Sequence, residues 1–141
     1  MRVSIPLVLE AAYASWAVRD VDAFLACFAD DMLFANHMSP DVVPFAGIVR
    51  GMIEFRRQIQ KILDDFDIIY YRPVQITADG GSVRAQTEFQ YRHMATGLTY
   101  EGRLRHLWQV EGDKIVRFDE FHDGERTRAF FELVALHSRK G

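Results

Sequence analysis

From Ile68 onward the chain reads as long strands separated by turn signals at Asp79-Gly80-Gly81, Ala95-Thr96-Gly97 and Glu111-Gly112-Asp113. Glycine at such points supplies the positive φ that tight connections require, so successive strands are expected to pair as an antiparallel meander. A sheet of this kind has to bury one face, and what covers it must come from the rest of the chain.

That cover lies upstream, where apolar residues recur at helical rather than strand spacing. Ser4 is expected to cap a first helix with Pro6 in its opening turn, running to about Val18. This helix is apolar nearly all round, which fits deep burial or sharing with a partner subunit. Asp20 caps a short second helix carrying Val21, Phe24, Leu25 and Phe28, ended by Asp30 and Asp31. The segment 31–38 reads as a strand, and Pro40, Pro44 and Gly47 impose a loop whose stretch through Pro44, Phe45 and Gly47 can act as a lid. Gly51 opens a third helix with Met52, Phe55, Ile59, Ile62 and Phe66 on one face. At the other end Asp123-Gly124 interrupts the last strand, and Ala129, Phe130, Leu133, Val134 and Leu136 suggest a closing helix. The fold class is therefore α+β: a single domain over 1–141 in which a strongly curved antiparallel sheet wraps around N-terminal helices. Such a sheet makes a cone, packed at one end and open at the other as a ligand pocket.

Composition narrows the function. A chain of 141 residues is long enough to bury a real core. Eleven Phe, five Tyr and two Trp favour an aromatic-lined cavity over a plain core. The net charge of −3 and the lack of a basic run argue against nucleic acid, since Arg56, Arg57 and Lys61 are flanked by Glu54, Asp64 and Asp65. The single Cys27 cannot form an internal disulfide and reads as a buried thiol compatible with a reducing cytoplasm. The opening lacks the marks of a secretory signal, and no stretch is long enough to span a membrane. A soluble cytoplasmic protein with a small-molecule ligand is the resulting expectation.

Strand alternation assigns what faces the helices. Val83, Ala85, Thr87, Phe89, Tyr91 and His93 share one side, and in the next strand Leu104, His106, Trp108 and Val110 are the inward set. The final strand is undecided: Val116, Phe118, Glu120 and His122 alternate with Ile115, Arg117, Asp119 and Phe121, and neither set is clearly the apolar one.

Three passages, RDVDAFLACFADDMLFANH, VPFAGIVRGMIEFRRQI and YEGRLRHLWQVEGDKIVRFDEFHDG, resemble the SnoaL-like polyketide cyclase and ketosteroid isomerase superfamily. The resemblance spans nearly the whole chain and implies the cystatin-like cone of nuclear transport factor 2. It also implies a homodimer, as do the apolar first and closing helices. Against the ketosteroid isomerase pattern, the general-base aspartate falls on Asn36 and the oxyanion-binding tyrosine on Ala12; neither replacement can do that chemistry. Tyr13 sits about 100° around the helix from Ala12 and is no automatic substitute. Against the limonene epoxide hydrolase pattern, the tyrosine and asparagine fall on Phe34 and Asn36, and the water-activating aspartate falls on Glu120. Its arginine and second aspartate fall near Phe89 and Tyr91, so that machinery is incomplete. Both comparisons imply that Asn36 lies in the cavity, and the second implies the same for Glu120, which brings Phe118 and His122 with it by alternation.

The candidate site is thus Asn36, His93, His106, Glu120 and His122, within walls from Trp16, Phe34, Phe55, Ile59, Phe89, Tyr91, Trp108 and Phe118. Glu120 is the expected acid/base, its pKa raised toward neutrality by burial, with His106 and His122 orienting it, relaying its proton or polarising a carbonyl. His93, near a turn, is read as exposed or capping, and His37 as facing away. No histidine pair has the helical spacing of zinc motifs, so neither a metal nor another cofactor is expected. Two functions remain open: a cofactor-independent lyase, isomerase or cyclase acting on a small apolar carbonyl compound, and a non-catalytic ligand-binding or dimerisation domain.

Overall fold

A computed structural model describes residues 5–43 and 46–139. Ser4, expected as the first cap, and Pro44 and Phe45 of the expected lid lie outside them.

The helices are α1 (Leu7–Ala17), α2 (Val21–Leu25), α3 (Met52–Asp65) and α4 (Gly124–Arg139). The strands are β1 (Phe28–Asn36), β2 (Gly47–Arg50), β3 (Phe66–Asp79), β4 (Ser82–His93), β5 (Thr99–Glu111) and β6 (Lys114–Phe121). They form one six-stranded sheet in the order β2-β1-β6-β5-β4-β3. The meander from β3 to β6 is antiparallel as expected, while β1 joins β6 in parallel, making the sheet mixed.

Several boundaries differ from the sequence reading. Phe28 opens β1 rather than closing α2, because Cys27 and Ile115 begin the pairing with β6 that far upstream, and a bulge between Phe28 and Leu33 absorbs the acidic pair. Gly47 starts β2, a short edge strand beside β1, instead of sitting in a loop. Asp123 does more than break the last strand, since its side chain accepts from the Arg126 N–H and caps α4. Helix α1 is not wrapped on all sides: Leu9, Ala12, Tyr13 and Trp16 are buried, whereas Leu7 is 81% exposed.

The hairpins turn where glycine was expected to turn them. Asp79 pairs with Ser82 and Glu111 with Lys114 across two-residue loops, with φ of 60° at Gly80 and 61° at Gly112. The core lies between the sheet and α1 to α3, with Phe55, Phe66, Phe89, Trp108 and Leu104 almost wholly enclosed.

Candidate active site

Register builds the site. Asn36 on β1 pairs with Glu120 on β6, and Glu120 pairs with His106 on β5, so three polar side chains stand in one row across adjacent strands. All point to the helix side, and His122, two residues beyond Glu120, follows it. The row below is Phe34, Phe118 and Trp108, the last two stacked at 3.8 Å and 2°. The undecided strand is therefore settled with Phe118, Glu120 and His122 inside. Ile115 also turns inward, because a register shift between Gln109 and Val110 displaces the start of β6, and Val116 is left half-buried.

Glu120 accepts three hydrogen bonds: from Asn36 Nδ2 at 3.2 Å and His122 Nε2 at 3.0 Å on one oxygen, and from His106 Nε2 at 3.0 Å on the other. Burial acts to raise its pKa, but the hydrogen bonds from His106 and His122 outweigh burial and hold the carboxyl well below the usual carboxylate range. This corrects the expectation of a pKa near neutrality. The site holds an ionised carboxylate.

Burial pushes the His106 imidazole down, and the ring is neutral at pH 7. With Nε2–H committed to Glu120, Nδ1 must accept, and it meets the Tyr13 hydroxyl at 2.8 Å and the Thr87 hydroxyl at 3.0 Å. Trp108 Nε1 in turn donates to Tyr13 at 3.1 Å, so a donor chain runs from Trp108 through Tyr13 and His106 to the carboxylate. Tyr71 adds a hydroxyl 3.2 Å from His106 Nε2. Burial first, and then the Glu120 charge, keep the Tyr71 and Tyr91 phenols protonated.

A cavity of about 30 Å³ lies beside the carboxylate. Glu120 and His122 line it together with the expected Trp16, Phe34, Phe55, Ile59, Tyr91 and Phe118. Phe24, Ile62 and Tyr71 also line it and were not anticipated. Five of the expected residues do not reach it. Trp108 is covered by the Phe118 ring, Phe89 packs on Tyr91, Tyr100 and His122, and Asn36 and His106 stand behind Glu120. His93 is not part of the group: its Nδ1 meets the Thr96 hydroxyl at 2.8 Å and secures the β4–β5 turn. His37 faces the other side of the sheet, stacked on Phe121 at 4.3 Å and bonded to Asp119, which Arg117 also holds.

Tyr13, Thr87 and Tyr100 were missed as polar members, although Thr87 and Tyr100 share the inward parity of their strands. Tyr13 had a signal in its spacing from Leu9 and Trp16 on the buried stripe of α1. Among the described residues, no group of three or more His, Cys, Asp or Glu is arranged to hold a metal ion, and no helix is long and apolar enough to cross a membrane.

Comparison with known proteins places this geometry. The SnoaL-like domain matches residues 9–118. A search of curated proteins gives no match. Among solved structures, TerC co-crystallised with polyporic acid is similar with a TM-score of 0.78 at 19% identity, over 91% of this chain and 95% of that one. A nuclear transport factor 2-like protein of unknown function from Burkholderia pseudomallei K96243 also gives 0.78, at 17% identity over 90% and 94%. A hypothetical protein with a ketosteroid isomerase-like fold from Catenulispora acidiphila, in complex with trimethylamine, gives 0.73 at 12% identity over 85% and 88%. At these identities the likeness establishes the cone fold.

Proposed function

The chain belongs to the SnoaL-like family, and from that premise we propose that it binds a small, mostly apolar carbonyl compound and moves a proton on it, as an isomerase, cyclase or lyase needing no cofactor. The observation that carries this reading is the Glu120–His122 pair: two hydrogen-bonded titratable groups, 3.0 Å apart, on the wall of an otherwise aromatic cavity. Glu120, ionised, is the base or counter-ion, and His122 is the partner that gives or takes the substrate's proton. His106, neutral and behind the carboxylate, orients it. The ligands named for TerC and the Catenulispora protein support a small-molecule occupant.

At about 30 Å³ the cavity has room for roughly one water. Pockets for organic ligands span about 300–1,000 Å³. Binding therefore goes with outward movement of the ring walls.

The test is hydrogen exchange next to a carbonyl. A panel of small ketones is incubated with the protein in deuterium oxide, and exchange at the carbon beside the carbonyl is followed by NMR. Exchange above the uncatalysed rate that disappears in Glu120→Gln supports the reading. Exchange unaffected by that change removes Glu120 from it.

A second reading has its own observation: three donors already satisfy Glu120, as they would a carboxylate that serves only to hold the sheet together. On that reading the domain binds a ligand without transforming it, and the panel shows binding with no exchange. We also place the chain in a homodimer and in the cytoplasm. Leu133 and Leu136 on α4, 47% and 51% exposed, and a buried free Cys27 support these two assignments. Light scattering at micromolar concentration tests the dimer.

A further inference from the structure

A cavity of about 30 Å³ admits an organic molecule only if a wall moves, and a ring can swing aside only where there is room behind it. Tyr71 lines the cavity and also borders a groove of about 310 Å³ between α1 and β3. The groove exists because Tyr13, Ala14 and Ala17 recur at helical spacing on the side of α1 that faces β3, and the two alanines leave open the space that larger side chains would fill. Pro73 and Ile76 close it from the strand, and Glu10 is the one charged residue among its described walls. Its volume falls in the range of about 300–1,000 Å³ that organic ligands occupy, which the cavity alone does not reach.

Tyr71 is placed to move. β3 is the outermost strand, with β4 as its one neighbour, so shifting it disturbs pairing on one side only. Register irregularities flank Tyr71, between Ile68 and Tyr70 and between Pro73 and Gln75, and Pro73 has no N–H to give the ladder. The Tyr71 hydroxyl is 3.2 Å from His106 Nε2, at the long end of the hydrogen-bond range. Its ring lies 5.7 Å from that of Tyr13, which also borders the groove, so parting these two rings opens the groove onto the cavity that Glu120 lines. His122 likewise borders a groove, with Gln86, Arg103 and Arg105 on the far face of the sheet. That wall is fixed: the His122 ring is bonded to Glu120 at 3.0 Å and to Tyr100 at 2.9 Å.

We propose that the α1–β3 groove is the entrance chamber of the ligand site, that parting of Tyr71 from Tyr13 joins it to the cavity, and that the molecule admitted is neutral and apolar. Glu10 at the groove and Glu120 at the cavity wall both repel an anion, and no Lys or Arg stands among the described walls of either to offset them. The chamber rests on the reading of the cavity as a ligand site, and it narrows the carbonyl compounds of that reading to those without a carboxylate.

The experiment measures access to a thiol in the full-length chain. In a Cys27→Ala background, Ile59→Cys puts the single thiol on the cavity wall and off the groove, and Leu104→Cys, at a site as enclosed but on neither, reports general opening. Each is treated with neutral methyl methanethiosulfonate and with its anionic 2-sulfonatoethyl analogue, and the rate is followed by mass spectrometry. The Ile59→Cys thiol is expected to react faster than that of Leu104→Cys, and faster with the neutral reagent than with the anionic one. Ala14→Trp, at an exposed position on the groove, is expected to slow it several-fold with no effect on Leu104→Cys. Tyr71→Ala, or Tyr71→Leu should alanine not fold, is expected to speed it several-fold. A rate that does not exceed that of Leu104→Cys, or that Ala14→Trp leaves unchanged, overturns the entrance. A rate unchanged by removing the Tyr71 ring overturns its role as the moving wall, and an anionic reagent that reacts as fast as the neutral one overturns the exclusion of anions. The thiol reagents replace the ketone, so silence in the ketone panel leaves the entrance readable, and an entrance elsewhere leaves the exchange readable.

Discussion

Replacing His106 by phenylalanine takes one donor from the carboxylate, and also leaves the Tyr13 and Thr87 hydroxyls without the Nδ1 acceptor, a loss that does not depend on pH. The ring has no measurable exposure to spare, lying between Trp108 at 5.5 Å and Phe118 at 5.0 Å, and phenylalanine occupies similar space. Glu120 loses one of its two imidazole donors, while burial, which raises its pKa, stays. A hydrogen bond to a charged group contributes about 1.5–3 kcal/mol. At about 1.4 kcal/mol per pKa unit, the Glu120 pKa should rise by roughly one to two units in His106→Phe, read as the carboxyl carbon-13 shift through a pH titration. Stability carries the same information. The wild-type carboxyl is depressed in the folded state, so its stabilisation is complete above the unfolded value of about 4.3 and is lost as pH falls through and below it. His106, whose pKa is also lowered, costs wild type further stability as pH falls below about 6.5, and the variant has no such group. Both effects have one sign: the stability advantage of wild type over His106→Phe, measured by urea unfolding, should be greatest at pH 7 and shrink on acidification. An advantage that is constant or grows toward pH 4, or a wild-type Glu120 that titrates above about 4.3, would refute the account of the site as an ionised carboxylate.

Three further changes probe the surrounding packing. Tyr13→Phe leaves the buried Trp108 N–H without its acceptor and should cost about 1–3 kcal/mol in chemical denaturation, with a shift in indole fluorescence. Phe55→Ala opens space beside the cavity at a cost of about 3–5 kcal/mol; it should also increase binding of an apolar fluorescent probe, since Phe55 lines the cavity and packs on Phe24, Phe28 and Phe34. Gly81→Ala would put a Cβ 2.4 Å from the Val110 carbonyl oxygen and should lower the melting temperature through strain of about 1–3 kcal/mol; an unchanged melting temperature would mean that the β4–β5 edge yields without cost.

Much of this was legible in the residues because period-two parity is a strong signal when one face is apolar. On β4 and β5 it brought Thr87, Phe89, Tyr91, His106 and Trp108 inward, and the structure places them there. On β6 it gave no answer, since Asp119 and Phe121 are as suited to an interior as Glu120. What turns them outward is their contacts with Arg117 and His37, which come from register and from another strand. The direction of the Glu120 shift was misjudged for a related reason: burial is visible in a sequence, but the convergence of His106 and His122 donors on one carboxylate is a matter of distance. The hydrogen bond between the Tyr100 and Thr127 hydroxyls was equally hidden, as it joins β5 to a helix whose start lay five residues before the expected apolar stripe at Ala129. Cavity size depends on how rings stack, and the near-coplanar Trp108–Phe118 pair removes Trp108 from the wall that alternation had given it.

The central claim is that Glu120 and His122 face a space that receives a small molecule. It is tested most directly by a crystal structure of protein purified without added ligand, with density sought between His122 and the rings of Phe34, Tyr91 and Phe118. The account predicts a small molecule there, within hydrogen-bonding distance of His122 or Glu120, and the ring walls moved outward around it. Rings closed over an empty space, unchanged when the crystal is soaked in a ketone that the protein is shown to bind, would contradict it.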